Sequence, residues 1–189
     1  MNRKYIIFMG GLTLLAAGGI FTVLLLRDGK TIRSSPADLK AAVKPGPPLI
    51  MSEVHLYFAD KENAFLSAEK KSLLHSEDPA EFGSRIINAL ISGPRGDLMP
   101  TIPDGAALSA LYVTPEGTAY VDITEAMRDD HPGGAKTELM TLYSIVNSLI
   151  LNIPQIRFVK ILTGGRESST LAGHIDLQFP YKADMLLVR

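Results

Sequence analysis

Residues 111–123 read Leu111-Tyr112-Val113-Thr114-Pro115-Glu116-Gly117-Thr118-Ala119-Tyr120-Val121-Asp122-Ile123, two β-rich runs around a four-residue turn. Aromatic and β-branched residues favour a pleated surface, and Pro followed two positions later by Gly is turn chemistry. The stretch therefore predicts a hairpin of Ala107–Val113 with Thr118–Ile123. Working outward, each flank holds an amphipathic helix. Upstream, Asp78 is placed as an N-cap, Pro79 suits the first helical position, and Glu81 is spaced to close a capping box. Phe82, Ile86, Ala89 and Leu90 recur at helical spacing until Gly93-Pro94 stops the run. Downstream, Leu139, Leu142, Tyr143, Val146, Leu149 and Ile150 form an apolar stripe on a helix from about Lys136 to Leu151. Farther out lie the strand candidates Val54–Phe58, Leu66–Leu74, Arg157–Leu162 and Leu171–Phe179. Short strands with two one-striped helices predict an α+β two-layer sandwich: a small mixed β-sheet with both helices on one face.

Composition bounds what such a domain does. The 189 residues are 46% apolar and 21% charged, with no Cys and no Trp. Without Cys there is no disulfide scaffold, no Cys-ligated metal, no thiol nucleophile and no expectation of a lipidated-cysteine anchor. Of 19 basic and 20 acidic residues, seven and two fall before Gly46, which leaves 12 basic and 18 acidic residues for the remainder. An acidic folded part lacks the Lys/Arg footprint that phosphates reward, so no nucleic acid is expected as partner.

The basic N-terminal part reads as an anchor and a tether. Residues 5–26 carry no charge and span about 30 Å as a helix, enough for a bilayer core. Arg3 and Lys4 before them suit a short cytoplasmic end (residues 1–4) and a single-pass topology, with the C-terminal domain extracytoplasmic. The rival reading is a signal peptide cleaved near Ala16-Ala17-Gly18, but the apolar run continues to Leu26. Residues 27–48 are polar and hold Pro36, Pro45, Pro47 and Pro48, a Pro-rich linker that sets the domain off the membrane. Residues 49–189 are left as one domain.

Several stretches in that domain carry a resemblance. The opening VHLYF (54–58), the helix end ALISGP (89–94), Thr101-Ile102-Pro103-Asp104-Gly105, the hairpin LYVTPEGTAYVDI, SIVNSL (144–149), VKILTGG (159–165) and Leu171-Ala172-Gly173-His174-Ile175-Asp176 occur in an order that resembles the GerMN domain family. The resemblance implies a ring-building-motif-like fold, an extracytoplasmic place in the cell envelope, and a non-catalytic role in assembly with envelope proteins or by self-association. It does not by itself imply sporulation.

The chemistry-bearing residues give little support to an enzyme. His55, His75, His131 and His174 fall at no paired-ligand spacing, so no metal and no cofactor are expected. Asp129-Asp130-His131 reads as a polar loop before a helix. His174 and Asp176 alternate onto one face of a presumed strand, either as base and orienting group or as a plain solvent-facing row. Two surfaces remain as candidate partner contacts. The 14-residue loop Ser92–Gly105 is long for a helix-to-strand connection, and its Leu98, Met99 and Ile102 either face a partner or pack as a lid over the sheet edge. On the second helix Thr141, Ser144, Asn147 and Ser148 make a nearly uncharged polar face, either a contact surface or an ordinary solvated one. The leading expectation is a protein-contact module. The alternative is a domain binding a small glycan or peptidoglycan fragment.

Overall fold

The strands sort into two sheets rather than one. A computed structural model describes residues 49–189. Strands β1 (Met51–Ala59) and β2 (Leu66–Leu74) form a two-stranded antiparallel sheet with Tyr57 opposite Ala68. Strands β3 (Leu108–Val113), β4 (Thr118–Ile123) and β5 (Phe158–Thr163) form a second sheet, with β3 antiparallel and β5 parallel to the central β4. The hairpin from which the reading began is present. Its turn places Gly117 at φ 84°, with room for no Cβ, since one built there meets the Gln155 carbonyl oxygen at 2.7 Å.

Helix α1 (Pro79–Ile91) starts as its sequence dictates: the Asp78 carboxylate accepts the Ala80 N–H at 2.9 Å and Pro79 follows. The expected capping box does not close. Glu81 instead accepts from the Ser76 hydroxyl and, at 2.6 Å, from Arg85. A short α2 (Ala126–Asp129) precedes α3 (Ala135–Ile150). Helix α1 packs on β3 and on the β1–β2 hairpin, while α3 packs on β1 and β5. The helices thus join the two sheets, and the single-sheet arrangement is corrected accordingly. Phe82, Ile86 and Leu90 of α1, Leu142, Ile145 and Leu149 of α3, and Val121, Ile123, Val159 and Ile161 of the larger sheet fill one core.

Leu171–Phe179 is not a strand but a loop with one isolated bridge, Thr170 to Asp176. Beyond it Tyr181 bridges to Val159, and Val188 bridges to Leu66 after a 3-10 turn at Met185–Leu187. The predicted anchor (5–26) and linker (27–48) lie outside the described residues. Among the described residues, no helix is long and apolar enough to cross a membrane.

Candidate protein-contact site

The polar face of α3 points inward. Thr141, Ser144, Asn147 and Ser148 are all buried, which corrects their expected role as an exposed contact surface. The physical cause is the free edge of β1. In an antiparallel pair, alternate residues turn their peptide groups away from the partner strand, and a buried peptide group without a hydrogen bond is costly. Here His55, Tyr57 and Ala59 face away from β2, and side chains from α3 and from the turn just after it meet the first two. Ser148 Oγ accepts the Tyr57 N–H at 3.0 Å, and Ser144 Oγ donates to the Tyr57 carbonyl at 2.5 Å. Asn152, just past the helix, accepts from the His55 N–H at 2.9 Å and donates to its carbonyl at 2.7 Å. Asn147 does the same for the tail, exchanging two bonds with the Asp184 backbone at 2.9 and 3.0 Å.

The Ser92–Gly105 loop completes that edge, because the Met99 N–H donates to the Ala59 carbonyl at 2.8 Å. Its three apolar residues then part ways. Ile102 is buried in the core and Leu98 packs half-buried against it, so both act as the lid rather than as contacts. Met99 remains 46% exposed. Of the seven residues expected to meet a partner, Met99 alone presents a large apolar surface.

Next to Met99, the segment Pro100–Asp104 forms one wall of a notch of about 180 Å³, with His131 and Pro132 opposite and Thr137 and Thr141 of α3 between them. The two loops are held by a relay through the Thr141 hydroxyl and the His131 imidazole. Thr141 Oγ1 donates to the Thr101 carbonyl at 2.6 Å and accepts from His131 Nε2 at 3.0 Å, while His131 Nδ1 accepts the Gly133 N–H at 3.0 Å. The proton assignment follows from the donors already in use. Burial pushes the His131 pKa below its usual value, against the opposing pull of Glu138.

The strongest electrostatic feature is Glu138 in the first turn of α3, a side chain with no exposure. Its Oε2 accepts the N–H groups of Ala172, His174 and Ile175 at 3.1, 3.0 and 2.9 Å, and Oε1 lies 2.7 Å from His174 Nδ1. Burial alone raises the pKa of a carboxyl. These four donors outweigh it and hold Glu138 down at about 2, from an ordinary 4.5. Lys160 on β5 answers it from the other side, donating from its buried Nζ to the Leu177 and Gln178 carbonyls at 2.8 and 2.6 Å. The 171–178 loop is therefore held by an anion on its amides and a cation on its carbonyls. His174 is a partner of Glu138 and does not pair with Asp176, whose Oδ1 accepts the Gln178 N–H. No cluster of metal-ligating side chains occurs among the described residues.

Residues 55–169 match the family model Germane, described as sporulation and spore germination. The chain belongs to the Germane family. No curated protein matches it. Solved structures similar to this Germane domain include a candidate lipoprotein from Clostridium perfringens, at 23% identity and a TM-score of 0.52, covering 71% of this chain and 87% of that one. The first GerMN domain of the sporulation protein GerM from Bacillus subtilis is also similar, at 17% identity and a TM-score of 0.53 over 71% of this chain and 96% of that one. The tandem GerMN domains of the same protein give 16% and 0.54, and there 70% of this chain spans about half, 46%, of that one. These likenesses establish the GerMN-type fold. The Germane match contains Glu138 but ends before Ala172, His174 and Ile175, so the buried carboxylate fastens a following segment onto the matched part.

Proposed function

We propose that this Germane domain is a membrane-tethered, extracytoplasmic, non-catalytic contact module of the bacterial cell envelope, working in a sporulation- or germination-type assembly. The observation that carries the reading is Met99: an apolar side chain left 46% exposed on a loop pinned on either side of it, by its own N–H to the Ala59 carbonyl of β1 and by the buried Thr101 and Ile102. A braced loop loses little conformational entropy when covered, so an exposed methionine there favours association with a protein surface. The non-catalytic part draws support from Glu138, His131 and Lys160, whose hydrogen bonds all hold chain segments in place. The apolar run 5–26 behind Arg3 and Lys4, and the likeness to a candidate lipoprotein, support the envelope location. Against the glycan alternative stands the composition: no Trp and only 7% aromatic residues leave little ring surface on which a sugar could stack.

The test is genetic. A Met99→Ser chain, accumulating to the wild-type level, should fail to restore the phenotype of a strain lacking the gene. Full restoration contradicts contact through this loop. Purified chain incubated with peptidoglycan should release nothing soluble; soluble fragments would overturn the non-catalytic assignment.

A further inference from the structure

The notch beside Met99 is built from two loops, and the groups it offers to a ligand can be separated from those already in use. The deep polar atoms are taken: the Thr101 carbonyl, both His131 nitrogens and the Thr141 hydroxyl bond to one another or to Gly133, and Thr137 Oγ1 accepts from Asn63 Nδ2 at 3.1 Å. What remains open are the rings of Pro100, Pro103 and Pro132, and the exposed carboxylate of Asp104 on the rim. Asp104 forms no ion pair among the described residues. Asp130 stands close by on the facing loop, its Oδ2 3.5 Å from where a Cβ on Gly105 would lie. On the facing loop Arg128 pairs with Asp129 at 3.1 Å, and Lys136 follows in the first turn of α3; residues 100–104 and 128–136 together carry Asp104, Asp129 and Asp130 against Arg128 and Lys136, so the surrounding charge is negative on balance. The chain after Pro45 is acidic as a whole, with 18 acidic residues against 12 basic.

We propose that the notch receives one basic side chain, arginine or lysine, from the partner protein. Its aliphatic stem lies on the proline rings and its cationic head reaches the Asp104 carboxylate. The chemistry matches on three counts. A long side chain covers apolar surface with its methylenes while keeping its charge at the wet rim. The volume suits one such chain. The open polar group is an anionic acceptor, which calls for a charged donor. This inference rests on the contact reading and names the chemistry that the partner presents next to Met99.

The probes are N-acetyl-arginine amide and N-acetyl-lysine amide, with N-acetyl-citrulline amide as the neutral isostere of arginine. They are titrated into the full-length chain carrying isotope-labelled threonine and isoleucine methyls. Saturable shifts at Ile102, Thr137 and Thr141 are expected with the two basic probes. Citrulline amide should bind about threefold more weakly, and Asp104→Asn should weaken arginine binding by about the same factor, the value of a partly exposed charge pair. Asp104 is exposed, so the variant should melt at the wild-type temperature; if it does not, Asp104→Glu, which keeps the charge, should restore binding. No saturable response to either basic probe, or equal affinity for citrulline, overturns the proposal. If the notch fails while a Met99 cross-link to a partner succeeds, the basic anchor is lost and the contact reading stands.

Discussion

Replacing Glu138 by Gln removes a charge while keeping the shape, which mimics the protonated carboxyl. The structure sets the cost. Glu138 is held at about 2 instead of 4.5, and at roughly 1.4 kcal/mol per tenfold change that fall is worth about 3 kcal/mol. At neutral pH Glu138→Gln should therefore unfold about 3 kcal/mol more easily, a drop of about 10 °C in Tm for a domain of this size. The pH dependence has a definite sign. A depressed carboxyl contributes its full stability above 4.5 and loses it as pH falls toward 2, so the gap between the two chains should narrow over that window. Other carboxylates titrate in both chains and cancel in the difference. Denaturant unfolding followed by circular dichroism, at neutral pH and in steps down to about pH 3, measures it. Amide exchange at Ala172, His174 and Ile175 should accelerate in the variant, since these donors lose their charged acceptor. A gap below about 1 kcal/mol at neutral pH, or one that does not change with pH, refutes the reasoning.

Asn152→Ala strips both His55 peptide groups of their partner and should cost about 2–4 kcal/mol, read by thermal melting and by faster exchange of the His55 amide. The 98–102 segment should split by position. Ile102→Ala should cost about 2–4 kcal/mol because it opens a cavity, whereas Met99→Ser should stay within about 0.5 kcal/mol. Gly117→Ala should destabilise by about 2 kcal/mol or more, from the positive φ and from a Cβ set 2.7 Å from the Gln155 oxygen; a neutral result in denaturant unfolding contradicts that geometry.

What the sequence made legible was local. The β3–β4 hairpin, the Asp78-Pro79 helix start and the stripe of α3 depend on residues within a few positions of one another, and each is found where the pattern places it. The partition into two sheets was not legible, because it depends on which distant segment meets the far edge of β1. The inward face of α3 was half legible. Thr141, Ser144, Asn147 and Ser148 lack the Lys and Glu of a solvated face, and that signal belongs equally to burial against peptide groups, which is what the fold uses. Glu138 was there to be found. It shares the helical phase of Leu142, Ile145 and Leu149, and an acid on a core stripe needs donors from elsewhere. Those donors lie more than thirty residues on, in a loop where Ile175, Leu177 and Phe179 alternate with His174, Asp176 and Gln178 in the period of a strand. The charges of Glu138 and Lys160 compete for its backbone groups and keep them out of a ladder.

The central claim is that this domain meets another protein through the exposed loop and not through the polar face of α3. A photo-crosslinking residue placed in living cells at Met99, and in parallel at Ser148, tests it most directly. The account predicts a discrete protein adduct from position 99 and none from position 148 in a folded chain. An adduct from position 148, or no adduct from position 99 in a well-expressed, folded chain, would contradict it.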